Sequence, residues 1–190
     1  MRELLIGPAR FGELRAGLPT IATNLLTDRL KDLEAQGVIE KRWAQDINAI
    51  VYALTSWGKQ LQEPVGALIR WSTPLMASGR HNDSFDPRWL VPAMSAMLTD
   101  RRSQTPATLI LVVGNTPIKM TIADDGPHVE ILNEAPTDAY PVLRTTPELA
   151  LALAANAITP EEAITSGLDY TGDTAILHAV FGRTKQTIGS

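Results

Sequence analysis

Residues 22–37 read ATNLLTDRLKDLEAQG, and the spacing within them decides how the front of the chain folds. Leu26, Leu30 and Leu33 fall in one narrow arc at about 100° per residue, and Leu25 widens it. That predicts an amphipathic helix from Ala22 to Gln36, with Gly37 in the left-handed position that ends many helices. The opposite face shows Asn24, Thr27, Asp28 and Lys31, a polar row at i, i+3, i+4 and i+7.

Upstream, RFGELRAGL places Phe11, Leu14 and Leu18 on a second helical stripe, and Gly17 and Pro19 stop it. A turn of about four residues separates the two helices. Downstream, VIEKRW and IVYALT are β-prone runs around the polar AQDINA, the pattern of a hairpin. Thr55 can cap a further helix whose apolar face is Trp57, Leu61, Val65, Leu68, Ile69 and Trp71, with Pro64 as a point of bending. Residues 72–88 are rich in Ser, Pro, Gly and Asp and read as a linker, so the expected domains are 1–80 and 81–190.

Beyond the linker a short helix is expected at Trp89 to Leu98, and then the period changes. ATLILVVGN, PIKMTIADDG and HVEILNE are strand-like, with Ile118, Met120 and Ile122 alternating against Lys119 and Thr121. Helices follow from Pro147 to Asn156 and from Pro160 to near Gly167. LDYTGD reads as a short strand and turn, and Ala175 to Phe181 as a last helix. This is α+β organisation.

The chain has 190 residues and no Cys, which excludes disulfides, thiolate metal sites and a Cys nucleophile. Its net charge of -4 hides two unlike halves. Residues 1–80 hold ten Lys/Arg and eight Asp/Glu, a balance of +2, whereas residues 81–190 stand at -6. A nucleic-acid-binding front half is therefore compatible with an acidic chain. The longest apolar run, Leu109 to Gly114, is far below a membrane span, and the first residues lack a signal-peptide core. A soluble cytoplasmic protein is the expectation.

Two helices, a hairpin and a further helix give the order of a winged helix-turn-helix. The stretch from Arg10 to Trp71 goes further than order. Phe11, Leu14, Leu18-Pro19, Ile21, Leu26-Thr27, Arg29-Leu30, Leu33-Glu34, Gly37, Val51-Tyr52, Leu54-Thr55, Gly58, Leu61, Pro64-Val65 and Trp71 resemble the HxlR-type winged-helix transcriptional regulators, relatives of MarR. The likeness covers residues 1–72. It implies a homodimer on double-stranded DNA. There are two departures: only the last turn of the family's first helix corresponds to Arg2 to Ile6, and Ala22 stands where the family has a capping Ser. Ala costs about 1 kcal/mol there relative to Ser, unless Thr23 caps one residue late.

With the apolar arc inward, Asn24, Thr27, Asp28 and Lys31 must face outward into a major groove. Asn24 can pair with adenine, and Thr27 can offer its hydroxyl to a base or its methyl to thymine. Lys31 suits a phosphate or guanine. Asp28 can accept from cytosine N4 but repels phosphates. The expected DNA contacts are Arg10, Thr23, Asn24, Thr27 and Lys31, joined by Arg42, Gln45 and Asn48 on the wing.

The second half is similar to sterol carrier protein-type (SCP-like) domains. The similarity lies in its strand–Gly–strand openings, the Asp125-Gly126 turn, Asp138, Ile158-Thr159-Pro160-Glu161-Glu162-Ala163 with Gly167, and Thr171-Gly172-Asp173. It implies helices packed on a twisted, mainly antiparallel sheet, with a cavity for a small apolar ligand. Leu111, Val113, Ile118, Met120, Leu149 and Leu153 are the expected lining. Catalytic residues, metal ligands and cofactors are not expected: His128 and His178 have no third ligand at metal spacing, and no phosphate loop or nucleophile-plus-base motif occurs. The function implied is DNA-binding transcriptional regulation, with operator affinity modulated by that ligand. The alternatives are a lipid carrier whose winged helix serves only dimerisation, and a repressor that takes no ligand.

Overall fold

The structure, a computed structural model, describes residues 1–76, 85–133 and 139–182, without the side chains of 74–76. It divides into two compact units, Met1–Val65 and Gly66–Ser190. The boundary expected between residues 80 and 81 lies outside the described residues, as does Asp138.

The first unit contains α1 (Arg2–Ile6), α2 (Phe11–Ala16), α3 (Thr23–Ala35), β1 (Ile39–Ala44), β2 (Ala49–Leu54) and α4 (Ser56–Lys59); α5 (Gln62–Met76) runs across the division. Helix α2 starts where the Glu13 carboxylate accepts the Arg10 backbone N–H at 2.7 Å. Helix α3 ends in a Schellman motif. Gly37 adopts φ 73°, its N–H donates to the Glu34 carbonyl at 3.0 Å, and the Val38 N–H donates to the Leu33 carbonyl at 2.9 Å. That turn delivers Val38 and Ile39 straight into the core, beside Leu4, Leu14, Leu26, Leu30 and Leu54. Burying each such aliphatic side chain is worth about 1.5–3 kcal/mol, which fixes α3 against the hairpin.

β1 and β2 are antiparallel, pairing Ile39 with Leu54, Lys41 with Tyr52, Arg42 with Val51 and Trp43 with Ile50. Cross-strand partners share a face and neighbours alternate. Lys41 and Trp43 therefore lie on the face that Ile39 buries, and Arg42 lies on the other. Ala9 exchanges two backbone hydrogen bonds with Tyr52, at 2.9 and 3.0 Å, adding a third short edge to the wing.

The single helix expected from Trp57 to Trp71 is two helices. Pro64 falls in the first turn of α5, where its missing N–H costs nothing, so the chain restarts its helix at Gln62 instead of bending. Trp57 is left on α4, off the common stripe, and is 58% exposed. Leu61, Val65 and Ile69 are half-buried, while Leu68 and Trp71, further round α5, are exposed. Helix α5 also runs to Met76, into the stretch read as linker.

After α5, the second unit has a 3-10 turn (Pro87–Trp89), capped by the Asp86 carboxylate, which accepts the Arg88 N–H at 3.0 Å. Next come α6 (Leu90–Met97), β3 (Ala107–Val113), β4 (Thr116–Ile122), β5 (Pro127–Ile131), β6 (Val142–Thr145), α7 (Pro147–Ala154), α8 (Pro160–Thr165), β7 (Asp169–Thr171) and α9 (Thr174–Phe181). The sheet order is β5-β4-β3-β6-β7. Only β3 and β6 run parallel. This is the α+β, mainly antiparallel arrangement the sequence implies. Consecutive residues Leu109, Ile110 and Leu111 are all buried, so the central strand is covered on both faces. The core is closed by Leu90, Met94 and Leu98 from one side of the chain and Leu177, Val180 and Phe181 from α9. Arg101 is buried beside it, donating to the Asn156 Oδ1 at 2.9 Å and the Phe181 carbonyl at 3.4 Å.

Candidate nucleic-acid interface

The outer face of α3 is set by its inner one. Leu26 and Leu30 are buried, so Asn24, Asp28 and Lys31 are exposed, and Thr27 is half-buried at the edge. The Thr27 hydroxyl donates back to the Thr23 carbonyl at 2.9 Å, one turn earlier. Thr23 itself is the first helical residue and does not cap. The N-cap is Ala22, at φ -67° and ψ 141°, with no side-chain cap bond. Leu25 does not widen the apolar arc: it is 46% exposed, beside Asn24. One residue is about 100° of rotation, which carries Leu25 away from Leu26 and out to the polar side.

The charges around this face are partly paired. Arg29 meets Asp32 at 3.6 Å, both exposed. Arg10, ahead of α2, is held by Glu13 at 2.6 Å, an exposed pair of small net worth that a phosphate can displace. Glu34 near the end of α3 binds the Lys41 ammonium at 2.7 Å. That hydrogen bond raises the Lys41 pKa above its ordinary value, and the same ammonium lies 5.5 Å from the Tyr52 ring centre.

On the wing, Gln45 and Asn48 are exposed at the tip. Asn48 adopts φ 49°, so the turn itself calls for Asn there, apart from any contact it makes. Arg42 shares its face with Glu40. Both line a cleft of about 670 Å³ whose apolar side is Leu4, Leu5, Ala53 and Trp57. The structure thus brings Asn24, Thr27 and Lys31 together on one helix face, and Thr23 lies at that helix's start. Gln45 and Asn48 stand on a second element, and Arg42 is turned toward the cleft, away from the Lys41 side. Sequence reasoning missed the exposed Trp43 and Ile50, which face one another across the hairpin. Their alternation with Val51 was the available signal.

A sequence profile of the HxlR-like helix-turn-helix family matches residues 1–79. The uncharacterized HTH-type transcriptional regulator YvaP of Bacillus subtilis (strain 168) is 38% identical over 72 residues, covering 37% of this chain and 67% of the relative. The chain belongs to the HxlR-like helix-turn-helix family. A second relative, the HTH-type transcriptional regulator YodB of the same organism, is 30% identical over 77 residues, covering 40% of this chain and 69% of YodB. The solved structure of the UbiJ-SCP2 ubiquinone synthesis protein overlaps 63% of this chain and 91% of its own at 20% identity, with a TM-score of 0.29. At that score the overlap bears on the activity of neither unit.

In this HxlR-like chain five of the six residues expected to line a ligand cavity are buried. Leu111, Val113, Ile118, Met120 and Leu153 are buried in the second unit, and Leu149 is half-buried in the first turn of α7. Among the described residues, His128 pairs with Asp125 at 2.7 Å and His178 with Glu161 at 3.1 Å, all four exposed. The His128 hydrogen bond lowers the Asp125 pKa. Among the described residues no three His, Cys, Asp or Glu side chains are grouped to hold a metal, and no helix is long and apolar enough to cross a membrane.

Proposed function

We propose that this protein is a cytoplasmic transcriptional regulator that binds double-stranded DNA as a homodimer, with α3 in the major groove and the wing beside it. The observation that carries this is the division of α3 into a buried Leu26–Leu30 side and an exposed Asn24–Asp28–Lys31 side, set in the HxlR-like frame. The protein is not an enzyme; its regulator relatives support that. A two-fold dimer reads a pseudo-palindrome with half-sites about 34 Å apart.

The second unit is assigned the uptake of a small apolar ligand, on its likeness in sequence to SCP-like domains. Such a ligand shifts operator affinity only by its differential binding to two states, typically ~1–3 kcal/mol. Selection of duplexes from a random pool by the full chain tests the DNA reading. Lys31→Glu should abolish retention of the selected duplex while leaving the circular dichroism spectrum intact. A chain that retains no duplex refutes the regulator, and native mass spectrometry with no co-purifying apolar molecule refutes the ligand.

A further inference from the structure

We infer that Leu25 and the Thr27 methyl read thymine 5-methyl groups, so that each half-site places thymines beside the adenine taken by Asn24. The inference rests on α3 being the helix that enters the groove. Two observations on that helix carry it. Leu25 is 46% exposed next to Asn24, in the N-terminal turns that approach base edges.

The Thr27 hydroxyl donates its proton to the Thr23 carbonyl at 2.9 Å, so toward a base its oxygen can only accept, and its methyl is the group that can meet an apolar one. The outer face carries two cations, Lys31 and, one turn beyond Leu25, Arg29, which is paired with Asp32 at 3.6 Å. In the major groove the thymine methyl is the one apolar group a base pair presents, so a face made of Asn, Leu and a Thr methyl matches A·T pairs.

The test removes methyl groups and nothing else. The full chain is first used to select a duplex from a random pool. Each thymine of the selected half-site is then replaced by deoxyuracil, and dissociation constants are compared for the parent chain, Leu25→Ala, Thr27→Ser and Thr27→Val. One uracil should weaken the parent chain about fourfold, the worth of one buried methyl-sized group. Leu25→Ala should lose sensitivity to one uracil position. Thr27→Ser, which keeps the hydroxyl, should lose sensitivity to another, and Thr27→Val should retain it.

Equal affinity for thymine and uracil duplexes, or full uracil sensitivity in both Leu25→Ala and Thr27→Ser, overturns this inference and leaves the regulator standing. Failure to select any duplex overturns both.

Discussion

Ala22 offers a stabilising substitution whose size follows from the start of α3. Its backbone already has the extended φ -67° and ψ 141° of an N-cap, and its carbonyl accepts the Leu26 N–H at 3.0 Å. What is missing is an oxygen for the next amides, those of Asn24 and Leu25. Ala22→Ser supplies it without moving the chain, for a gain of about 1 kcal/mol. Against ~5–15 kcal/mol for a whole domain that is a large fraction. It corresponds to a rise of about 4–8 °C in the melting temperature of a unit this size. Scanning calorimetry of the full chain reads it, with Ala22→Gly expected within a few tenths of a kcal/mol of Ser. Thr23→Ala should be near neutral, because Thr23 is helical and not the cap. An unchanged transition in Ala22→Ser, together with a loss of about 1 kcal/mol in Thr23→Ala, would refute this account of the helix start.

Gly58→Ala should destabilise by about 1–3 kcal/mol, since its Cβ would fall on the Val38 carbonyl oxygen and crowd Leu54; an unshifted urea midpoint contradicts this. Thr55→Ala should cost about 1–2 kcal/mol in the same assay. It removes the oxygen that accepts the Gly58 N–H at 3.0 Å and the hydroxyl that donates to the Gly37 carbonyl at 2.7 Å. Arg101→Met should cost about 1–3 kcal/mol by stranding the Asn156 and Phe181 oxygens; a melt indistinguishable from the parent would show that water replaces the guanidinium. Asp125 titrates below an ordinary carboxylate, so its small contribution is present above the unfolded pKa and lost as pH falls through the folded one. In His128→Asn its carboxyl resonance should titrate higher, and an unmoved curve removes His128 as the cause.

The winged helix was legible because each of its parts carries a local signal: the Leu26–Leu30–Leu33 spacing, Gly37 at a Schellman turn, and two β-prone runs around a polar tip. The departures are equally physical. Leu25 was drawn inward by its neighbour Leu26, yet adjacent residues diverge by about 100° on a helix. Trp57 and Trp71 fit one apolar stripe only while α4 and α5 are one helix, and Pro64 separates them. The Glu34–Lys41 pair joins a helix to a strand, which no spacing reveals. Leu111 and Met120 show a different limit. A side chain that fills a core and one that lines a cavity have the same period, so the pattern located both on inner strands without saying which role they take.

The wing behaves as a graduated arm. Ile39 and Leu54 hold its base, Asn48 shapes its end, and the pairing of Lys41 with Tyr52 and Arg42 with Val51 assigns one cation to each side. Lengthening both strands by one residue would turn the tip over and exchange those sides. Lengthening both by two would restore them and carry the tip about 6.8 Å farther, the rise of roughly two base pairs. On the proposed docking, with the wing beside an operator, its reach would therefore be adjustable only in steps of two residues per strand, without altering α3.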